Sequence, residues 1–201
     1  MTAREQLLHW LEIEKDRQLE FLQAFTRIDT CNPPGDTVEA ADFFRRFLDE
    51  EKLPHRTEAP QATMPNLISS FAGKGKGRHL VLNGHLDVFP IGDRSVWKHD
   101  PLSGDIVDDR VYGRGTVDMK CGTTALLFVH AYLHRLRDEL PGKVTRTVWM
   151  PLGSVFSTQS PSTWSAQLRT SQSAPHLPPV SSSDTTVSVT LPGNSSRRRW
   201  R

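Results

Sequence analysis

The order of elements around one short loop most limits what this chain can fold into. An apolar run, His79 to Asn83, ends in Gly84-His85-Leu86-Asp87-Val88. A glycine turn, Gly113-Arg114-Gly115, follows some thirty residues later and leads into Thr116-Val117-Asp118-Met119-Lys120. From Gly122 to Leu136 apolar residues recur at helical intervals, Leu126, Val129 and Leu133 on one side with Ala125, Phe128 and Tyr132 beside them. Pro141-Gly142 ends that helix, and Val144 to Trp149 begins a strand expected to be buried. Strands alternating with helices of this length predict an α/β domain built on a mixed sheet.

The region upstream fits the same class. Residues 16–28 carry Leu19, Leu22, Phe25 and Phe21, Phe25, Ile28 at spacings of three and four, which predicts a helix. Pro33 and Pro34 stop it, because each lacks a backbone donor and holds φ fixed. Asp36 followed by Glu39 has the spacing of a capping box, so a second helix is expected to start there with Ala40, Ala41, Phe44, Phe47 and Leu48 as its buried face. Asn66–Phe71 and His79–Asn83 read as neighbouring strands joined by the turn from Gly73 to Gly77, and Ile106–Tyr112 as a weaker strand or turn.

Composition narrows the class further. The 201 residues suffice for one domain with an appendage. The net charge of +2 is unevenly spread: residues 149–201 hold five arginines and a single acid, Asp184, a balance of +4, which leaves −2 for residues 1–148. Cys31 and Cys121 are the only cysteines, too few for a disulfide framework or a Cys-x-x-Cys zinc pattern. The charged N-terminus lacks the apolar stretch of a signal peptide, and no run reaches the length of a membrane span. A cytoplasmic protein is expected. Beyond Trp149 the chain turns rich in Ser, Thr and Pro and loses apolar periodicity, so residues 149–201 are expected to form a disordered tail in which nothing pairs with Val187 and Val189. The terminal arginines read as solvated, with neither nucleic acid nor membrane as a partner.

Three side chains carry the candidate chemistry. His85 and Asp87 lie two residues apart after a strand, and if extended geometry persists they point the same way. A neutral imidazole suits zinc, and a carboxylate on its other ring nitrogen would fix the tautomer. Asp118 sits behind a glycine turn at the start of a helix, and its two oxygens can bridge two cations. Each feature alone is common; a lone Asp before a helix is more often an N-cap.

Taken in order, Asn-Pro-Pro-Gly-Asp-Thr at 32–37, Gly-His-Leu-Asp-Val-Phe-Pro at 84–90, Trp97 with Asp100-Pro101, and Tyr-Gly-Arg-Gly-Thr-Val-Asp-Met-Lys at 112–120 resemble one family. It is the zinc metallopeptidases and amidohydrolases that include carboxypeptidase G, aminoacylase, acetylornithine deacetylase and succinyl-diaminopimelate desuccinylase. The resemblance runs from about residue 16 to about 148. It implies that His85 ligates one metal, Asp118 bridges two, and Asp87 orients His85. It also implies two zinc ions, with cobalt or manganese possible, and hydrolysis of an amide in N-acyl amino acids or small peptides. In such enzymes a metal-bound water attacks the carbonyl while a glutamate takes its proton.

Against that pattern, Cys121 stands where glycine is usual and reads as a small packed residue, and Asp108-Asp109 replaces Asp-Gly. A larger departure follows Val144. The family carries a Glu-Glu pair there, general base and metal ligand, whereas this chain continues Val148-Trp149-Met150-Pro151-Leu152-Gly153. The family's dimerisation domain is also expected to have no counterpart in these residues. The expected fold is therefore an α/β, mixed-sheet, zinc-peptidase-like catalytic domain, incomplete over 1–148, followed by a Ser/Pro/Arg-rich tail over 149–201 that reads as disordered or out of frame. The general-base Glu is absent, so the chain is expected to be inactive. The alternative is a non-catalytic fragment or binding protein with a basic tail.

Overall fold

The computed structural model describes residues 1–148 and the backbone of 186–190. Two helices come first, α1 (Ala3–Ile13) and α2 (Lys15–Arg27), followed by α3 (Val38–Glu50). Helix α1 goes beyond the elements that the apolar pattern predicts. Its N-terminus is a capping box in which Thr2 and Glu5 satisfy each other's backbone donors. A capping box does not form on α3. Thr37 occupies the N-cap position without a side-chain bond, and Asp36 accepts the Val38 amide at 3.0 Å in a local turn. The turn of residues 32–37 is already tied down by Gly35 N–H to Cys31 O and Thr37 N–H to Thr63 O, which places the helix start one residue beyond Asp36.

Five strands, β1 (His55–Glu58), β2 (Asn66–Ala72), β3 (His79–Gly84), β4 (Ile106–Val107) and β5 (Arg110–Val111), precede α4 (Cys121–Arg135), β6 (Lys143–Val148) and β7 (Thr186–Thr190). The main sheet has the order β1-β2-β6-β3-β7, while β4 and β5 form a separate hairpin. β6 lies antiparallel to β2 and parallel to β3, so β2 and β3 are not neighbours. A short turn is compatible with either arrangement, since skipping one strand spans only about 10 Å. What decides it is the crossover through α4, which returns the chain parallel to β3 and lays β6 into the gap. The segment at Val187 and Val189 does have a partner: it runs parallel to β3 in register from His79–Thr186 to Asn83–Thr190. The open backbone groups on the far edge of β3 provide the reason. The rest of the tail expected over 149–201 lies outside the described residues.

One face of the sheet packs against α3 and α4, and α2 packs in turn on α4. Phe21, Phe25, Phe44, Phe47 and Phe128 meet there, several in edge-to-face contact near 5 Å. The predicted face of α3 is buried throughout. On α4 the buried stripe is Leu126, Leu127, Phe128, His130, Ala131 and Tyr132, while Ala125 is exposed; the stripe is rotated from the predicted one because α4 packs against helices as well as sheet. Arg146 lies wholly within this core, donating to Thr123 O at 3.3 Å and lying over the Phe44 ring. Burial pulls its pKa down to about 9. At the far end of the helices Arg135 bridges Glu14 and Glu51, and Arg17 pairs with the same two carboxylates, fastening the α1–α2 junction to α3 and α4.

Candidate metal centre

β3 stops at Gly84, yet the alternation of burial continues through the loop: Leu86 and Val88 point into the core while His85 and Asp87 stay half-buried on the other side. The loop keeps strand-like geometry because the segment after α2 runs beside it. Val88 N–H donates to Thr30 O at 3.0 Å, Asn32 N–H to Val88 O at 2.8 Å, and the Thr30 hydroxyl to Leu86 O at 2.7 Å. On the opposite side the Thr123 hydroxyl of α4 donates to His85 O at 2.9 Å. A side chain at Gly84 would meet that hydroxyl at 2.8 Å, so the close approach of α4 requires glycine there.

His85 Nδ1 donates to the backbone carbonyl of Asp87 at 2.9 Å and lies 3.2 Å from its carboxylate Oδ1. The other carboxylate oxygen, Oδ2, accepts from Asn32 Nδ2 at 3.1 Å. With Nδ1 carrying the proton, the Nε2 lone pair faces outward, and Asp118 Oδ1 sits 3.3 Å from it. Burial by itself lowers the pKa of His85, but the Asp87 and Asp118 carboxylates outweigh it and the net shift is upward. Burial likewise opposes ionisation of Asp87, and the bonds from His85 and Asn32 reverse it, holding the carboxyl below its usual range.

Asp118 is presented by a kinked turn over Thr116–Lys120 in which Asp118 and Met119 depart from helical geometry. Gly115 opens it in the left-handed region, φ +82°, and a Cβ there would come within 2.2 Å of Val88 Cγ1. The glycine turn thus presses against the same loop that carries His85. Lys120 closes the arrangement from beneath: fully buried, its ammonium donates to Phe25 O at 2.9 Å and Ile28 O at 2.7 Å, capping the C-terminus of α2. Burial pushes its pKa down to about 8. Asn32 and Lys120 are legible in the sequence only as letters of a motif; their roles depend on α2 and the loop after it folding against residues far along the chain. Cys121, expected to be packed, is exposed, because the helix start turns it outward, and its thiol donates to Val117 O at 3.7 Å.

The structure therefore brings His85, Asp87 and Asp118 together. Two donors of one tetrahedral zinc, each at about 2.0–2.1 Å, stand roughly 3.3 Å apart, which matches the Nε2 to Oδ1 separation. A lone pair facing a carboxylate is repulsive unless a cation or proton lies between them. The donor set thus fits a divalent metal. Among the described residues no group of three or more His, Cys, Asp or Glu is arranged to hold one. Nor is any helix among them long and apolar enough to cross a membrane.

Residues 81–150, from β3 past the end of β6, match the model of Peptidase family M20/M25/M40. A succinyl-diaminopimelate desuccinylase of Cereibacter sphaeroides is 39% identical over 124 residues, covering 60% of this chain and 32% of the relative. An N-formyl-4-amino-5-aminomethyl-2-methylpyrimidine deformylase of Halalkalibacterium halodurans is 31% identical over 147 residues, covering 71% and 34%. Among solved structures, the M20 family metallo-carboxypeptidase Sso-CP2 of Sulfolobus solfataricus superposes with a TM-score of 0.58 at 27% identity, over 65% of this chain and 30% of that one. The chain spans about a third of the length of these proteins. With its mixed sheet and the β3–loop–turn–α4 unit in place, the chain is similar to peptidase family M20, whose model matches it over residues 81–150.

Proposed function

We propose that residues 1–148 form the part of a two-metal amide hydrolase that supplies one imidazole ligand, His85, and a bridging carboxylate, Asp118, with Asp87 as the group that orients His85. The observation that carries this reading is the Nε2 to Oδ1 separation of 3.3 Å, with Nδ1 already engaged by Asp87. A divalent metal bound there, zinc by preference and cobalt or manganese as substitutes, would polarise an amide carbonyl and acidify a water. The chain's own residues set the stage for that chemistry. Asp87 keeps the proton on Nδ1 and the lone pair on Nε2. Gly115 and Lys120 hold the turn that aims Asp118 at His85. By analogy with its relatives, the substrate class is an N-acyl amino acid or small peptide, acted on in the cytoplasm.

The chain with residues 149–201 as written does not complete this site. After Val148 the sequence reads Trp149-Met150-Pro151 and has no carboxylate until Asp184, so on this reading it offers neither a general base nor a further acidic ligand directly after β6. Loss of a general base alone costs about 10²- to 10⁴-fold in rate. The reading is tested by titrating Co²⁺ into the full chain by calorimetry. Weak binding, no more than one ion per chain and abolished by His85→Ala, is expected, together with no release of amino acid from N-acetyl amino acids. Binding indifferent to His85→Ala would remove the metal site. Tight binding of two ions, or turnover, would mean that the chain completes the site by other residues and is active.

A further inference from the structure

The Asn-Pro-Pro-Gly segment lies outside the trio of His85, Asp87 and Asp118, although Asn32 is nine-tenths buried beside it. Its backbone is held by the bridge between Cys31 and Val88, so its side chain is placed by contacts independent of Asp87. Nδ2 donates to Asp87 Oδ2 at 3.1 Å, while Oδ1 of the same carboxylate is the atom turned toward His85 Nδ1. A carboxylate on Cβ rotates freely about its last torsion unless both oxygens are engaged. The Asp87 plane is held here because one oxygen accepts from a buried amide donor while the other lies 3.2 Å from His85 Nδ1, whose proton also reaches the Asp87 backbone carbonyl. A neutral amide also suits this position better than Lys or Arg, since a second cation would compete with His85 for the carboxylate.

We propose that Asn32 is a positioning residue for the metal centre: it acts on His85 through Asp87, and so sets metal affinity without touching the metal. This rests on the reading of His85 as a ligand. Outer-shell partners of a ligating histidine are generally worth about 10- to 100-fold in metal affinity. The prediction that separates positioning from mere structural support is non-additivity. Asn32→Ala lowers Co²⁺ affinity about tenfold in the unaltered chain, but leaves it unchanged in a chain already carrying Asp87→Ala.

The experiment is this double-mutant cycle, read by Co²⁺ calorimetry on the full chain, with ¹⁵N spectra of the His85 ring and ¹³C spectra of the Asp87 carboxylate recorded without metal. Loss of affinity confined to the Asp87 background, with shifted His85 and Asp87 resonances in metal-free Asn32→Ala, is the expected result. Equal losses in both backgrounds, or unmoved resonances, would overturn the proposal. If Asn32→Ala fails to fold, Asn32→Asp takes its place; it keeps the shape and backbone bonds while replacing the donor by an acceptor, and the same cycle applies. Should His85→Ala leave cobalt binding intact, the metal reading falls instead, and the metal-free resonances still decide whether Asn32 orients Asp87.

Discussion

His130 makes the stability of this chain sensitive to mild acid, for a reason that can be traced atom by atom. It projects from α4 into the core and is fully buried. Its Nε2 lies 2.8 Å from the Ser69 hydroxyl, which is itself 2.8 Å from Pro54 O. The hydroxyl has one proton and the carbonyl can only accept, so Ser69 donates to Pro54 and accepts from His130. The imidazole is therefore the neutral Nε2–H form, and among the described residues Nδ1 has no hydrogen-bond partner. Protonating Nδ1 would bury a charge without an acceptor and within reach of the Arg146 and His134 fields. Burial first, and those two cations second, push its pKa down to about 3. Because the folded value lies below the unfolded one of about 6.5, the unfolded state takes up the proton first, and stability falls as pH drops below about 6.5. Linkage gives a loss of about 2 kcal/mol between pH 7 and pH 5 from this residue alone. Urea unfolding at both pH values checks it against His130→Leu, which removes the titrating group at some cost in stability at pH 7. Carboxylate contributions are common to both proteins and cancel in the difference of slopes. Identical pH dependence in the two would refute this account of His130.

Two further outcomes follow from other parts of the fold. Gly115→Ala would force a Cβ at positive φ against Val88, and is expected to cost about 1–3 kcal/mol in urea unfolding and to weaken Co²⁺ binding, since the displaced turn carries Asp118. Arg135→Ala leaves Glu14 and Glu51 with one charged partner fewer, although Arg17 remains; a loss of about 2 kcal/mol is expected, and amide exchange in α1 should rise because that helix is held through its junction at Glu14.

The nature of the elements is largely open to inspection in the one-dimensional pattern. Periodicity places α2, α3 and α4 to within a residue or two, since an apolar stripe is a local property of a helix that must bury one side. The sites of β2, β3 and β6 are legible for the same reason, and so is the likeness of the His85, Asp87 and Asp118 motifs to a metal-binding family. Helix α1 escapes because none of its side chains is fully buried; Thr2 and Glu5 are the available signal. Which strand lies beside which is not a local property. β6 separates β2 from β3 because a helical crossover has to bring the chain back parallel, and β7 pairs with β3 because an open edge accepts any extended segment in register. The site divides in the same way. Residue types and spacing nominate three ligating or orienting groups, but the 3.3 Å approach of His85 to Asp118, the Asn32 bond to Asp87 and the Lys120 cap on α2 exist only because segments remote in sequence are folded onto one loop. Local pattern governs what each segment can bury; long-range closure governs which polar atoms end up within bonding distance.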